Sequence, residues 1–441
     1  MPLNAPMVKL SEAGGGMLED DAGGIAGGTV NPPLRKGDSH KFPLHIDLYV
    51  TLGKRLEFYE QQDEWSRVFA DLLAAILEAI LNFSRFGFSV ALTDKKGAQS
   101  FESKKKKGNV SQERSILSSK GYTIPECPCV RFGFSVESLQ QAQREMKKRD
   151  GANFSKTFVE KYSFEGQSTC SDYSTQRGAG QKVVSYSFYS PGWKVDPGSQ
   201  HFKKYLSQLH GRAGTIKEKY QGWTMRIYHN VSADDEHGLN FLCRIFCVHQ
   251  HVDICRVSDL PVIGDLEKMN TVGRLWRFAV MGDPTVSKFL IRDSDSWILD
   301  REVEVVREWL SSGKNFHTIH DHPSHKAIML AGLWGGTNKD SSLMRKLRDE
   351  MFRQPLNLSR NFDQYLLANY VWPRIKDDVM QHNSYNCQQE GFTNSIPFLT
   401  QRIDGLYCGW GPFKFKERRK VFMTLCPEQC RPKDHKTWVY C

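Results

Sequence analysis

Apolar positions follow three regimes along this chain. Residues 1–41 are rich in glycine, alanine and proline and hold few large apolar side chains. Such a segment buries too little apolar surface to offset the entropy of ordering, so 1–41 is expected to be disordered. From His45 the apolar residues become periodic. Val68, Leu72, Ile76 and Ile80 recur every fourth position, one stripe of an amphipathic helix. Its apolar run is bounded by Asp71 and broken by Glu78, which makes it too short to cross a membrane. Residues 94–121 and 165–180 are thin in apolar side chains and are expected to be poorly ordered. Residues 42–180 therefore read as a poorly defined N-terminal region with one amphipathic helix. One hexapeptide repeats: Arg85-Phe86-Gly87-Phe88-Ser89-Val90 returns as Arg131-Phe132-Gly133-Phe134-Ser135-Val136, but the flanks do not match, so it is no solenoid period.

The third regime begins at Lys182. Dense β-branched and aromatic runs at 183–189, 223–228 and 252–257 predict strands, the first ended by Pro191-Gly192. Helices are expected at 202–209, 236–248 and 269–280. A further strand runs through Lys288-Phe289-Leu290-Ile291 and ends at Asp293. Asp300 is expected to cap a helix whose Val303, Val306, Trp309 and Leu310 face the core. Leu343, Leu347 and Met351 mark another helix. Strands separated by helices imply an α/β fold with a mainly parallel sheet covered on both faces. Ligands of such sheets sit outside the carboxyl ends of the strands.

Asp293 and Asp295 fall at such an end. In extended chain, residues two apart share a side, so both carboxylates can converge on one hard cation such as Mg²⁺ or Mn²⁺. The bland alternative is an ordinary turn after a strand. Upstream, Arg274 and Arg277 lie three apart on one helical face, a fork suited to diphosphate oxygens or a plain basic surface. Downstream, Phe316-His317-Thr318-Ile319-His320-Asp321-His322-Pro323-Ser324-His325 is rich in imidazoles. It reads as a cleft wall in which Asp321 or His322 contacts sugar hydroxyls, or as a zinc site, although the spacing matches no zinc-hydrolase motif. Trp334 beside Gly335 offers a flat apolar face with close backbone approach, or a core tryptophan in a tight turn. Asp363 and Gln364 open an apolar helix, where Asp363 is a candidate reactive carboxylate or only a cap. His382 is a candidate third ligand of the cation.

Composition narrows the setting. The 441 residues carry a formal charge of +10, which favours anionic partners but is too moderate to mark a nucleic-acid binder, and none is expected. Lys104-Lys105-Lys106-Lys107 reads as a solvated loop, less readily as a nuclear address or anion patch. The eleven cysteines are unevenly placed: Cys127, Cys129 and Cys170 lie early, Cys243, Cys247 and Cys255 mid-chain, and Cys387, Cys408, Cys426, Cys430 and Cys441 form a cysteine-rich tail. Disulfides are favoured over half a zinc site at Cys426, Cys430 and Cys441, and an odd total leaves at least one thiol unpaired. Asn82, Asn109, Asn153, Asn230 and Asn357 open Asn-x-Ser/Thr triplets. These features lean towards the secretory pathway, yet no signal peptide or membrane span is found, so membrane association would need an anchor outside this chain.

Taken in order, the motifs over 182–441 resemble nucleotide-sugar glycosyltransferases of the GT-A fold, which is Rossmann-like. They look closest to a largely uncharacterised glycosyltransferase-like family with an Arg-Asp-x-Asp-Ser segment. Here those motifs are Arg292 to Ser296, Arg301-Glu302 with Glu308-Trp309-Leu310, Asp321 to His325, Gly332 to Gly335, and Asp363-Gln364. The resemblance implies that 181–441 is a glycosyltransferase-like catalytic domain, transferring sugar from a nucleotide-sugar donor to a glycan, protein or lipid acceptor. It implies Mn²⁺ or Mg²⁺ held by Asp293 and Asp295 with His382, donor contacts from Arg274, Arg277, Arg292, Trp334 and Gly335, and reacting or positioning roles for Asp363, Gln364 and Asp321. It further implies a Golgi lumen location. His320 departs from the family pattern, and the first 180 residues match nothing in it. Two other classes remain open: a zinc-dependent hydrolase using the tract from His317 to His325, and a non-catalytic glycan-binding protein descended from a transferase.

Overall fold

The computed structural model describes residues 117–125, 127–148, 166–190 and 194–441. The expectations for 1–41, the helix at 68–80, the first copy of the hexapeptide, the lysine run and the triplets at Asn82, Asn109 and Asn153 lie outside the described residues. A hairpin of β1 (Ser119–Tyr122) and β2 (Arg131–Phe134) comes first. The main sheet holds β3 (Gln181–Phe188), β4 (Trp223–His229), β5 (Val252–Arg256), β6 (Val286–Arg292), β7 (Phe316–His320), β8 (Leu333–Thr337) and β9 (Val379–Asn383). Their order is β5-β4-β3-β6-β8-β7-β9. All pairings are parallel except those of β8, which runs against both β6 and β7. The α/β architecture with a mainly parallel, helix-flanked sheet is thus the one expected.

The strands read clearly because both faces are covered. Val183, Phe289, Ile291 and Trp334 pack into one core, with Phe278, Met344, Leu347 and Met351. Val184, Tyr186, Met225, Ile227 and Leu290 pack into the other, against Leu209, Ile216, Leu242, Ile245, Val306 and Trp309. The helices Gln208–Lys219, Glu236–Val248 and Asp300–Ser311 supply that second layer. From β3 the chain moves outward through β4 to β5, then returns to place β6 on the opposite side of β3. The carboxyl ends of β3 and β6 therefore form a topological switch point, the place where such sheets open a crevice for ligands.

Several local expectations change. Asp300 is the first helical residue and not the cap; Leu299 holds the cap position, and Asp300 pairs with Lys219 at 2.7 Å. Leu310, in the last turn of that helix, is 37% exposed, whereas Val303, Val306 and Trp309 are buried. The helix expected at 269–280 is a 3-10 turn over Gly273–Val280, in which residues three apart eclipse, so Arg274 and Arg277 keep a shared face. Residues 166–180, expected to be poorly ordered, are tied down. Ser168 Oγ, Thr169 N and Thr169 Oγ1 all donate to Asp283, which also pairs with the buried Arg226 at 2.6 Å. Cys170 joins Cys255. Polar side chains and a disulfide thus do here what apolar density does elsewhere.

The second hexapeptide copy forms β2 and anchors it. Arg131 is buried, donates to Val252 O at 2.6 Å and His249 O at 2.7 Å, and lies 3.7 Å from the Phe246 ring centroid. It satisfies carbonyls at the end of the Glu236–Val248 helix. Cys127–Cys243 and Cys129–Cys247 fasten the same region. The tail closes through Cys387–Cys430 and Cys426–Cys441, so Cys426, Cys430 and Cys441 are no zinc half-site; the unpaired thiol is the buried Cys408. No helix among the described residues is long and apolar enough to cross a membrane.

Candidate functional site

Past Arg292 the chain does not continue extended. Ser296 N donates to Asp293 O at 3.2 Å, closing a turn over Asp293-Ser294-Asp295-Ser296. The turn, and not strand periodicity, sets the two carboxylates. The Asp293 side chain is 41% exposed and that of Asp295 only 10%. Asp293 pairs with the buried Arg277, whose second nitrogen reaches Asp363 at 2.9 Å. One guanidinium therefore bridges two carboxylates. Burial works to raise the Asp293 pKa, but Arg277 and Lys414 outweigh it and hold the carboxyl below its usual value. At Asp363 burial wins over Arg277, and its pKa is raised.

Asp295 is held differently. Its Oδ1 lies 3.1 Å from Lys414 Nζ and its Oδ2 3.4 Å from Lys204 Nζ. Lys414 also donates to Ser296 Oγ at 3.0 Å and Gly409 O at 2.9 Å. The segment carrying Lys414 is clamped onto the turn. Ser296 Oγ donates to Gly409 O at 3.0 Å, Trp297 N to Trp410 O at 2.6 Å, and the two indoles meet edge to face at 4.8 Å. Glycine is required at two points. A Cβ on Gly411 would run into the Asp295 carbonyl, and one on Gly332 into the Asp293 carboxylate.

Of the residues singled out by sequence, the structure brings together Asp293, Asp295, Arg277 and Asp363. Arg274 sits beside them but spends one nitrogen on Ser359 O. Gln364 donates its amide to Asn361 Oδ1 at 3.3 Å. The others belong elsewhere. Arg292 is buried and bonds Glu302 Oε1 at 2.7 Å and Trp334 O at 3.0 Å, so it braces the sheet and does not face a donor. Trp334 is a core tryptophan, packed edge-on against Phe289 at 5.3 Å. Gly335 makes room for the neighbouring strand, since a Cβ would fall 2.7 Å from Phe289 O. Asp321 is fully buried and takes bonds from Arg301, Arg402, Ser384 Oγ and Cys408 N. It is a structural hub. Burial opposes its charge, but Arg301 and Arg402 hold its pKa well below the ordinary range.

His382 does not complete a cation site. It lies on β9, three strands from β6 and hence about 14 Å away. Its Nδ1 meets His317 Nε2 at 2.8 Å and its Nε2 meets Glu308 at 2.9 Å. The histidine tract scatters in the same way. His320 bonds Ala327 O, His322 bonds Glu417 O, and His325 Nδ1 accepts from Asp321 N. Burial holds His317, His320 and His325 neutral, with His320 lowered to about 4. Among the described residues the group of three metal-capable side chains that converges is Cys127, Cys243 and Cys247, all in disulfides.

The donor set at the turn does not suit a hydrated divalent ion either. Both Asp295 oxygens face ammonium groups and one Asp293 oxygen faces Arg277, whereas Mg²⁺ keeps several waters and demands near-octahedral space. Lys204, Lys414 and Gly409 were missed in the sequence, and Ser296 entered only as the end of the Arg-Asp-x-Asp-Ser segment. The available signal was Gly409-Trp410-Gly411, which repeats the glycine-flanked tryptophan pattern seen near Trp334. A separate cavity of about 480 Å³, lined by Tyr173, His229, Arg256 and Asp259 among others, includes none of Asp293, Asp295 or Asp363.

No protein-family model and no curated protein matches the chain. Among solved structures it is similar to a glycosyltransferase involved in the glycosylation of the major capsid of PBCV-1, at 14% identity and a TM-score of 0.28, over 46% of this chain and 83% of the other.

Proposed function

We propose that this protein is a glycosyltransferase that binds a nucleotide-sugar donor in the crevice outside β3 and β6. One observation carries the reading. At the switch point of the sheet, Arg277, Lys204 and Lys414 gather with Asp293, Asp295 and Asp363, one carboxylate open to solvent and another with a raised pKa. Fixed cations beside a diphosphate stabilise the charge that builds on it as the anomeric carbon–oxygen bond breaks. The acceptor oxygen forms the new bond, and its proton leaves to a carboxylate. Asp363 is the proposed residue at the donor sugar, with Arg277 positioning it against Asp293. The acceptor is a glycan, protein or lipid, and the five disulfides support work in the secretory pathway, with the Golgi lumen as the proposed compartment.

The test separates catalysis from binding. The full chain is incubated with a panel of nucleotide sugars, and release of free nucleoside diphosphate is followed. Slow release by the wild type is expected, falling about 100-fold or more in Asp363→Asn while the donor still raises the thermal midpoint. A midpoint rise without release for any donor would instead indicate a glycan-binding descendant. The absence of both a midpoint rise and nucleotide release across the whole panel refutes the proposal.

A further inference from the structure

At the donor site just proposed, on which this inference rests, a cation supplied by the chain itself stands against Asp295. Lys414 Nζ has Asp295 Oδ1, Ser296 Oγ and Gly409 O at 3.1, 3.0 and 2.9 Å. An ammonium has three protons, so all three are used. This is an oxygen cage of the kind a hard metal ion takes: a carboxylate, a hydroxyl and a backbone carbonyl. The charge also reaches Asp293, whose pKa it helps to hold down. The cage is built from two distant stretches held in register by the Trp297–Trp410 contacts and by glycine at 411. Lys204 sits on the opposite oxygen of Asp295, with its side chain 32% exposed and protons to spare. It comes from the turn Phe202–Leu206, on the β3 side of the crevice. Arg277, Lys204 and Lys414 thus pair directly with Asp293, Asp295 and Asp363, so each of the three carboxylates already has a cation of the chain against it.

We propose that the caged Lys414 ammonium takes the place of a divalent cation, so that this site binds the diphosphate of its donor without metal, with Lys204 donating directly to a phosphate oxygen. Lys414 acts as a fixed charge and Lys204 as the mobile contact. A bound diphosphate then draws Lys204 from Asp295, while the Lys414 cage stays closed.

Thermal midpoints of the full chain test this with UDP, GDP, ADP and CDP, each in excess EDTA and in Mn²⁺. The expected result is a rise with at least one nucleotide in EDTA that Mn²⁺ does not enlarge. In Lys414→Ala the rise in EDTA is lost and Mn²⁺ restores it, the ion entering the vacated cage. Lys204→Ala weakens the same nucleotide about tenfold under both conditions. A rise in the wild type that requires Mn²⁺ overturns the inference and leaves the glycosyltransferase reading standing. No rise with any nucleotide, and none with intact nucleotide sugars, overturns both. The wild-type comparison decides the matter even if Lys414→Ala fails to fold.

Discussion

Removing the Asp321 carboxylate leaves Arg301 and Arg402, both buried, without their counter-charge. Breaking a buried pair in this way costs about 3–5 kcal/mol, so Asp321→Ala is expected to lower the urea midpoint severely. Asp293→Asn, at a side chain 41% exposed, is expected to cost less than about 1 kcal/mol by the same measurement. The buried histidines add a pH dependence. His320 has a folded pKa of about 4, below the unfolded 6.5, so the unfolded state binds the extra proton as pH falls. Stability present above pH 6.5 is therefore lost between about 6.5 and 4, by about 2 kcal/mol at pH 5 for this residue, and His320→Gln should flatten that slope in urea titrations. At this scale the sequence supplied candidates without their surroundings. Asp293, Asp321 and Asp363 all follow or open apolar runs. Only their partners, drawn from residues up to 87 positions away, separate a hub from an open carboxylate.

The elements were legible wherever burial is two-sided. Every residue of β4 is buried, and such a run can hardly be anything but a central strand. The turn after β6 was not, because spacing of two suggested extension while the Ser296 N to Asp293 O bond closes the chain. Nor was the partner segment. Lys414 is one of many lysines, and nothing local shows that it returns to a turn more than a hundred residues earlier. That docking depends on glycine, so Gly411→Ala is expected to push the segment off Asp295. It should abolish the midpoint rise on nucleotide addition with the far-ultraviolet circular dichroism unchanged. If nucleotide binding survives Gly411→Ala, the segment is not part of the donor site.

For the molecule as a whole, the alternation of strands and helices conveyed the α/β class, and the crowding of cysteines conveyed disulfides but not their pairing. Residues 166–180 read as poor in order because their anchors are Asp283 and Cys255, which apolar density does not reveal. The secretory reading makes a chemical prediction. Asn230 has its amide held by Ser190 and Glu267, whereas Asn357 is exposed. Expressed through a secretory pathway, the protein should carry a glycan at Asn357 and none at Asn230 by peptide mass spectrometry. The most direct test of the donor site is hydrogen exchange with and without the nucleotide sugar that raises the midpoint. Added protection should concentrate at 293–297, 202–206 and 409–414. Protection confined to the cavity beside His229 and Arg256, with those three segments unchanged, would contradict the placement of the donor at the end of β6.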